Sequence, residues 1–395
     1  MKHAMTFALL LLSAAAFCQE LEDPTKCPYC KTTGKLVNPF YEKNEALLEQ
    51  AIYCSWAMEK DKEGLGLPWI PCAKCKNPPL KLKAVKEFDG LAKKRLAWLE
   101  ERRKVDETVK AQKPLFHLET EHFVWAWSIP KITWEKKQYR GHEALYLFAG
   151  LMEQFYSDYQ RVHQITDRDN INNKHYIYCF ERRLNADKAC VAYGEQASPN
   201  GKVTKQTKPS VFVMWWDKSK LPTAEAIHRD MIHNVAHLFV AVFKTWWWLY
   251  ESGVAYEGHA HWWEIYYYDK ATSYCFRESD SGSNWVAEKW PSRVKKAVLA
   301  GKEPSLTELL ALPGGSLDFK EHVFAWSYID YMMFMDPRKT LTFCDVLKQK
   351  RPAREAFSEA WGKSILAFEE EWKEYVKTEY SVQEMVVPSK RNRRR

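Results

Sequence analysis

The stretch TAEAIHRDMIHNVAHLFVAVF, residues 223–243, decides how the rest of the chain is read. After Pro222, Thr223 has the chemistry of an N-cap and Glu225 falls in the first turn, so a helix is predicted from Ala224 to about Phe243. On that helix His233 and His237 are four residues apart, close to one turn, and both imidazoles leave the same face. This is the spacing at which one helix hands two nitrogen ligands to a single metal ion. Taken alone, the pair reads equally well as two histidines of a helix face or core. His228, five residues before His233, falls on a different face.

The downstream segment WLYESGVAY, residues 248–256, adds a second motif. It resembles the W-L-x-E-G-hydrophobic-A segment in which gluzincins carry the glutamate that is their third zinc ligand. Together the two motifs resemble the peptidase MA-like group of bacterial gluzincins, zinc metallopeptidases of the HExxH type. More loosely, the resemblance runs from a strand at Thr120-Glu121-His122-Phe123 to a closing helix with Trp372, which is most of the chain after Pro114. It implies an α+β fold: a small mixed sheet and a mainly helical lobe of gluzincin type. It also implies that His233, His237 and Glu251 hold zinc.

The sequence departs from that pattern twice. Asn234 stands where the family has the glutamate that takes a proton from the zinc-bound water. An amide has no protonation equilibrium near neutral pH, so Asn234 can hold a water but cannot act as its base. Ser252 is an extra residue before Gly253; if Gly253 is in the family's register, the third ligand position falls on Ser252 instead of Glu251. Glu257, His259, His261 and Glu264 follow closely and are candidates for a relocated base, although their simpler reading is a polar helix surface. The resemblance further implies an oxyanion-stabilising tyrosine or histidine on a later helix; Tyr328 and Tyr331 are available, or are core aromatics.

Working outward, residues 24–79 form a cysteine-rich unit with two CxxC pairs, Cys27/Cys30 and Cys72/Cys75. Paired CxxC knuckles close a tetrahedral thiolate site, so the unit reads as zinc-ribbon-like; disulfides are the competing reading in an oxidising compartment. A helix over Glu42–Met58 is expected between the knuckles, and a charged connecting helix over residues 80–112 follows. The gluzincin-like domain is placed at residues 114–380. Its strands are expected at Phe116–Ser128, Lys174–Phe180 and Ser210–Trp216. Its further helices are expected at His142–Val162, Trp247–Tyr267, Asn284–Leu299, Phe319–Met335 and Ala353–Val376. Cys179 and Cys190 flank a polar stretch and can bridge it as a disulfide.

Lys2 and His3 before the apolar run Phe7–Leu12, then Ser13 to Ala16, have the layout of a secretory signal peptide over residues 1–18. Export to a periplasm or the extracellular space is expected; acylation of Cys18 is disfavoured by Phe17. Later hydrophobic runs are all broken by charges, so no transmembrane segment is predicted. The net charge of +8 is inflated by a basic tail within residues 381–395, and nothing resembles a nucleic-acid module, so no nucleic-acid partner is expected. The 18 tryptophans read mainly as core. The expected function is that of a pseudopeptidase binding a peptide, a protein or an envelope component. Alternatives are an active zinc metallohydrolase with a relocated base, and a structural or assembly protein of the cell envelope capable of self-association.

Overall fold

Alternation along three short runs after Pro114 builds the centre of the molecule. The computed structural model describes residues 27–381 except 28, 32, 173, 207, 248–251 and 274–288. In chain order its first elements are β1 (Lys35–Val37), α1 (Pro39–Leu48), β2 (Tyr53–Cys54), α2 (Ser55–Lys60), β3 (Trp69–Pro71) and α3 (Pro78–Thr108). Then come β4 (Phe116–Glu119), β5 (Phe123–Trp127), β6 (Lys131–Trp134), β7 (Lys137–Arg140), α4 (Gly141–His163), β8 (His175–Phe180), α5 (Arg183–Gly194), β9 (Lys202–Lys205) and β10 (Ser210–Trp215). The rest is helical: α6 (Ala224–Val242), α7 (His259–Tyr268), α8 (Trp290–Leu299), α9 (Leu306–Leu310), α10 (Phe319–Met335), α11 (Pro337–Lys348), α12 (Ala353–Trp361) and α13 (Ile365–Glu379).

Six of the described strands form one sheet in the order β2-β4-β5-β8-β10-β9. The inner pairs β5/β8 and β8/β10 are parallel and the outer ones antiparallel, so the sheet is mixed and the fold α+β. Side chains alternate between its faces. Trp125, Trp127, Ile177, Cys179, Phe212 and Met214 enter the large core shared with α4 and α6. Ala126, Tyr178, Phe180, Val211 and Val213 face α5 and the end of α3. Among the described residues, no helix is long and apolar enough to cross a membrane.

Several expectations are corrected. The helix predicted over Glu42–Met58 is broken: α1 stops at Leu48, and Tyr53–Cys54 turns into β2, which pairs with β4. The cysteine-rich unit therefore lends a strand to the main sheet. The helix predicted over Ala353–Val376 divides at Gly362, whose φ of 66° ends α12, and Ser364 caps α13 by accepting from the Ala367 amide. Cys179 and Cys190 do not bridge. Both are free, Cys179 on the large-core face of β8 and Cys190 on α5 against the opposite face, so the sheet separates them. The polar-looking stretch between them is α5 itself, which buries only small residues such as Ala186 and Ala189 and so gave little periodic signal. β9 was also missed, since Val203 is its one buried residue and lysines flank this edge strand.

Helix α6 forms as expected. The Thr223 hydroxyl accepts from the Ala226 amide 3.1 Å away at its start. At its end the ammonium of Lys348, from α11, donates to the carbonyls of Val240 at 2.8 Å, Phe243 at 2.5 Å and Thr245 at 2.7 Å. A buried cation on the last carbonyls satisfies groups that the helix itself cannot pair. Apart from Glu225 and Arg229 the whole helix is buried.

Candidate metal centres

His233 and His237 project from one face of α6 toward the next helical segment. Their rings lie 4.9 Å apart and nearly perpendicular. That next segment opens with a π-helical turn, Val254–Gly258, which runs into α7. The wider turn is a frequent device at functional sites. Gly258 sits against α10: a Cβ there would stand 2.5 Å from the Ala325 carbonyl oxygen, so only glycine lets the two backbones come this close. One turn before Ala325, α10 carries His322. Three helical pieces thus converge on Glu257.

Around its carboxylate the imidazole nitrogens form a shell. His233 Nε2 is 3.4 Å from Oε2, His261 Nε2 is 3.8 Å, His322 Nδ1 is 4.0 Å, and His237 Nε2 is 4.0 Å from Oε1. His261 Nε2 and His322 Nδ1 stand 2.9 Å apart. Donors bound about 2.0–2.1 Å from one ion lie about 3–4 Å from each other, so these spacings suit a shared metal. His233, Glu257 and His261 offer ligand atoms that all lie within 4.8 Å of one another, and could hold a metal ion. Neither oxygen of Glu257 accepts a hydrogen bond, although the residue is fully buried. An isolated buried carboxylate is costly unless a cation joins it.

Glu264 organises the shell from behind. Its Oε2 lies 3.0 Å from Nδ1 of both His233 and His261, while Oε1 accepts from the amides of Thr272 at 3.0 Å and Ser273 at 3.1 Å. A carboxylate on Nδ1 leaves each Nε2 lone pair facing Glu257, the outer-shell arrangement usual for metal-binding histidines. Burial sets the charge states. It pulls His261 down to about 4 even though Glu264 pushes the other way, and it takes His237 well below its usual range. Neutral imidazoles beside an ionised carboxylate are the ligating forms. His237 is further fixed by stacking on Tyr256, 3.8 Å between ring centres.

Asn234 Oδ1 accepts from the Thr204 hydroxyl of β9 at 2.7 Å, and its amide nitrogen donates to the Asp230 carbonyl at 2.7 Å.

Against the sequence-based expectations, His233 and His237 come together as foreseen, and Glu251 lies outside the described residues. Glu257, His259, His261 and Glu264 are not a polar surface: all four are fully buried. His259 belongs to another contact, 3.2 Å from His163 Nε2. Tyr328 and Tyr331 do not reach the centre; the first stacks on Trp372 and the second donates to Glu371 at 3.1 Å. His322, which the sequence reading passed over, is what α10 supplies. One signal was available: Glu257, His261 and Glu264 are spaced i, i+4, i+7, a polar stripe on a helix otherwise rich in aromatics.

The cysteine unit makes a second centre. Backbone turns close both knuckles: the Lys31 amide donates to the Cys27 carbonyl at 2.9 Å, and the Cys75 amide to that of Cys72 at 3.3 Å. The β1/β3 ribbon holds the knuckles together, with the Cys72 amide on the Gly34 carbonyl. All four thiols are buried and free, and Cys27 Sγ is 3.9 Å from Cys72 Sγ. That is close to the spacing of about 3.8 Å between thiolates tetrahedrally bound at about 2.3 Å, and about twice a disulfide bond. Cys27, Cys30 and Cys72 could hold a metal, with Cys75 in the same cluster. No protein-family model, no curated protein and no solved structure matches the chain.

Proposed function

We propose that the chain is an exported pseudopeptidase: a gluzincin-like scaffold with zinc on His233, Glu257 and His261, beside His237, and without the glutamate base at position 234. It binds a peptide, a protein or an envelope component and does not cleave it. A second, structural zinc sits on Cys27, Cys30, Cys72 and Cys75. The reading rests on one observation. A fully buried carboxylate, Glu257, accepts no hydrogen bond and is ringed by imidazoles, while the residue beside His233 is an amide.

Zinc in that position would supply Lewis acidity. At position 234 there is no group to take the proton. Loss of a general base commonly costs about 10²- to 10⁴-fold in rate. A relocated base finds little support in the four candidates: both Glu264 oxygens are engaged, His259 faces His163, and Glu257 and His261 are themselves among the donors.

Metal analysis of purified protein tests the proposal. Two zinc ions per chain are expected, with the His233→Ala, His237→Ala double variant losing one and retaining the other. In the metal-loaded protein, Asn234→Glu should raise hydrolysis of an unstructured protein substrate by about 10²-fold or more over the parent. Brisk hydrolysis by the parent would overturn the pseudopeptidase; unchanged metal content in the double variant would remove the histidine centre altogether.

A further inference from the structure

Beside the metal centre, but separate from its ligands, the first turns of α6, the β9–β10 end of the sheet and the segment 270–273 enclose a cavity of about 670 Å³. That size suits a small organic molecule. Arg229 forms part of its wall. Its side chain is only 11% exposed, and its Nε donates to the Thr272 hydroxyl at 2.8 Å. The nearest carboxylate oxygens are distant for a guanidinium: Glu264 lies 3.8 Å from Nε and Glu225 lies 3.9 Å from Nη1. A mostly buried arginine normally meets a carboxylate in a forked pair with both terminal nitrogens. Here that fork has no such partner among the described residues.

The remaining charges on the wall point the same way. Asp230 is paired with Lys202 at 3.0 Å, and Asp217 is occupied by the amide and hydroxyl of Ser219. Lys220 and Lys270 are exposed lining residues and, with Arg229, outnumber the one remaining wall carboxylate, Glu225, so positive charge is in excess. The N-terminus of α6 adds the positive end of its dipole. The indole of Trp215, with the Arg183 guanidinium 5.1 Å from its ring centre, is the aromatic part of the lining.

We infer that this cavity binds a small organic anion: its carboxylate or phosphate takes the terminal nitrogens of Arg229, and its apolar body lies against Trp215. The inference does not depend on the pseudopeptidase reading or on metal. Carboxylate and phosphate share the forked oxygen pair, and direct binding separates them. Titration calorimetry with benzoate, phenyl phosphate and inorganic phosphate, on chelator-treated protein, should give saturable binding of one aromatic anion. Inorganic phosphate should bind at least about threefold more weakly, for want of the ring contact. Arg229→Gln should weaken binding about tenfold or more, as expected for a charged hydrogen-bonded pair. Lys270→Gln, an exposed change that leaves the fold untouched, should weaken it about two- to threefold. His233→Ala should bind as the parent does. Absence of saturable binding by all three probes would overturn the inference, as would equal affinity in the Arg229→Gln and Lys270→Gln variants. Binding that vanishes in the His233→Ala variant would place the anion on the histidine centre instead, and the cavity assignment would fall while the metal reading stood.

Discussion

Cys27, Cys30, Cys72 and Cys75 form a cluster of their own against which, among the described hydrophobic residues, only Leu36 packs, whereas the histidines and Glu257 stand on helices whose apolar residues fill the largest core. The first cluster is most of the interior its surroundings possess. The second is a polar inclusion in an interior that would exist without it. From this difference a metal should matter in opposite ways, making the fold in one region and relieving a buried charge in the other.

The largest effect is expected from Cys72→Ser. Zinc binding to small thiolate units contributes on the order of 10 kcal/mol to their folding, so loss of one ligand should open the ribbon entirely. Hydrogen exchange read by mass spectrometry should then show β1 and β3 exchanging as unfolded chain, with α6 as protected as in the parent. Equal loss of protection in α6, or none in β1, would show that the two regions do not differ in this way.

Glu257→Gln sharpens the other half of the comparison. An amide keeps the shape and removes a charge that accepts no hydrogen bond. In chelator the variant should melt higher than the parent, with a gain of about 1–3 kcal/mol, and with zinc added the order should reverse. A chelated variant less stable than the chelated parent would mean that the carboxylate is already compensated and needs no cation.

Both regions were legible in the sequence to different depths, for physical reasons. A CxxC knuckle is a local turn, so the spacing of Cys27 and Cys30 carries its own geometry. His233 and His237 are equally local, since one helix fixes them, and the Thr223 cap located that helix within a residue. The rest of the centre is assembled by tertiary contact. Glu257 depends on the π-helical turn, which no periodicity announces, and His322 depends on Gly258 admitting α10. The large-core strands β8 and β10 were readable from their aromatic and branched residues, whereas the single run expected over Phe116–Ser128 is a hairpin of β4 and β5 that turns at Thr120–His122, and α5 hid behind the small size of what it buries.

The smallest effect comes from a third pairing of histidine and glutamate, where a proton does what a cation does in the centre. His122, at the turn between β4 and β5, places Nδ1 2.6 Å from Glu153 Oε2 on α4, and its backbone amide donates to the other oxygen at 2.9 Å. Burial pulls this imidazole down, but Glu153 and then Asp167 outweigh it and leave it above its ordinary value, the reverse of His261. Glu153 moves down: burial would raise it, and the bond from His122 prevails. A raised histidine stabilises fully below its unfolded value of about 6.5, and the gain is lost as pH rises through the higher folded value. A lowered glutamate stabilises above about 4.3, and that gain is lost as pH falls through its folded value. The difference in Tm between parent and His122→Gln should therefore be widest between about pH 4.5 and 6.5 and narrow steadily toward about pH 9. A difference that stays constant over that range would mean that His122 is held neutral, like His237 and His261, and that burial rather than the carboxylate governs it.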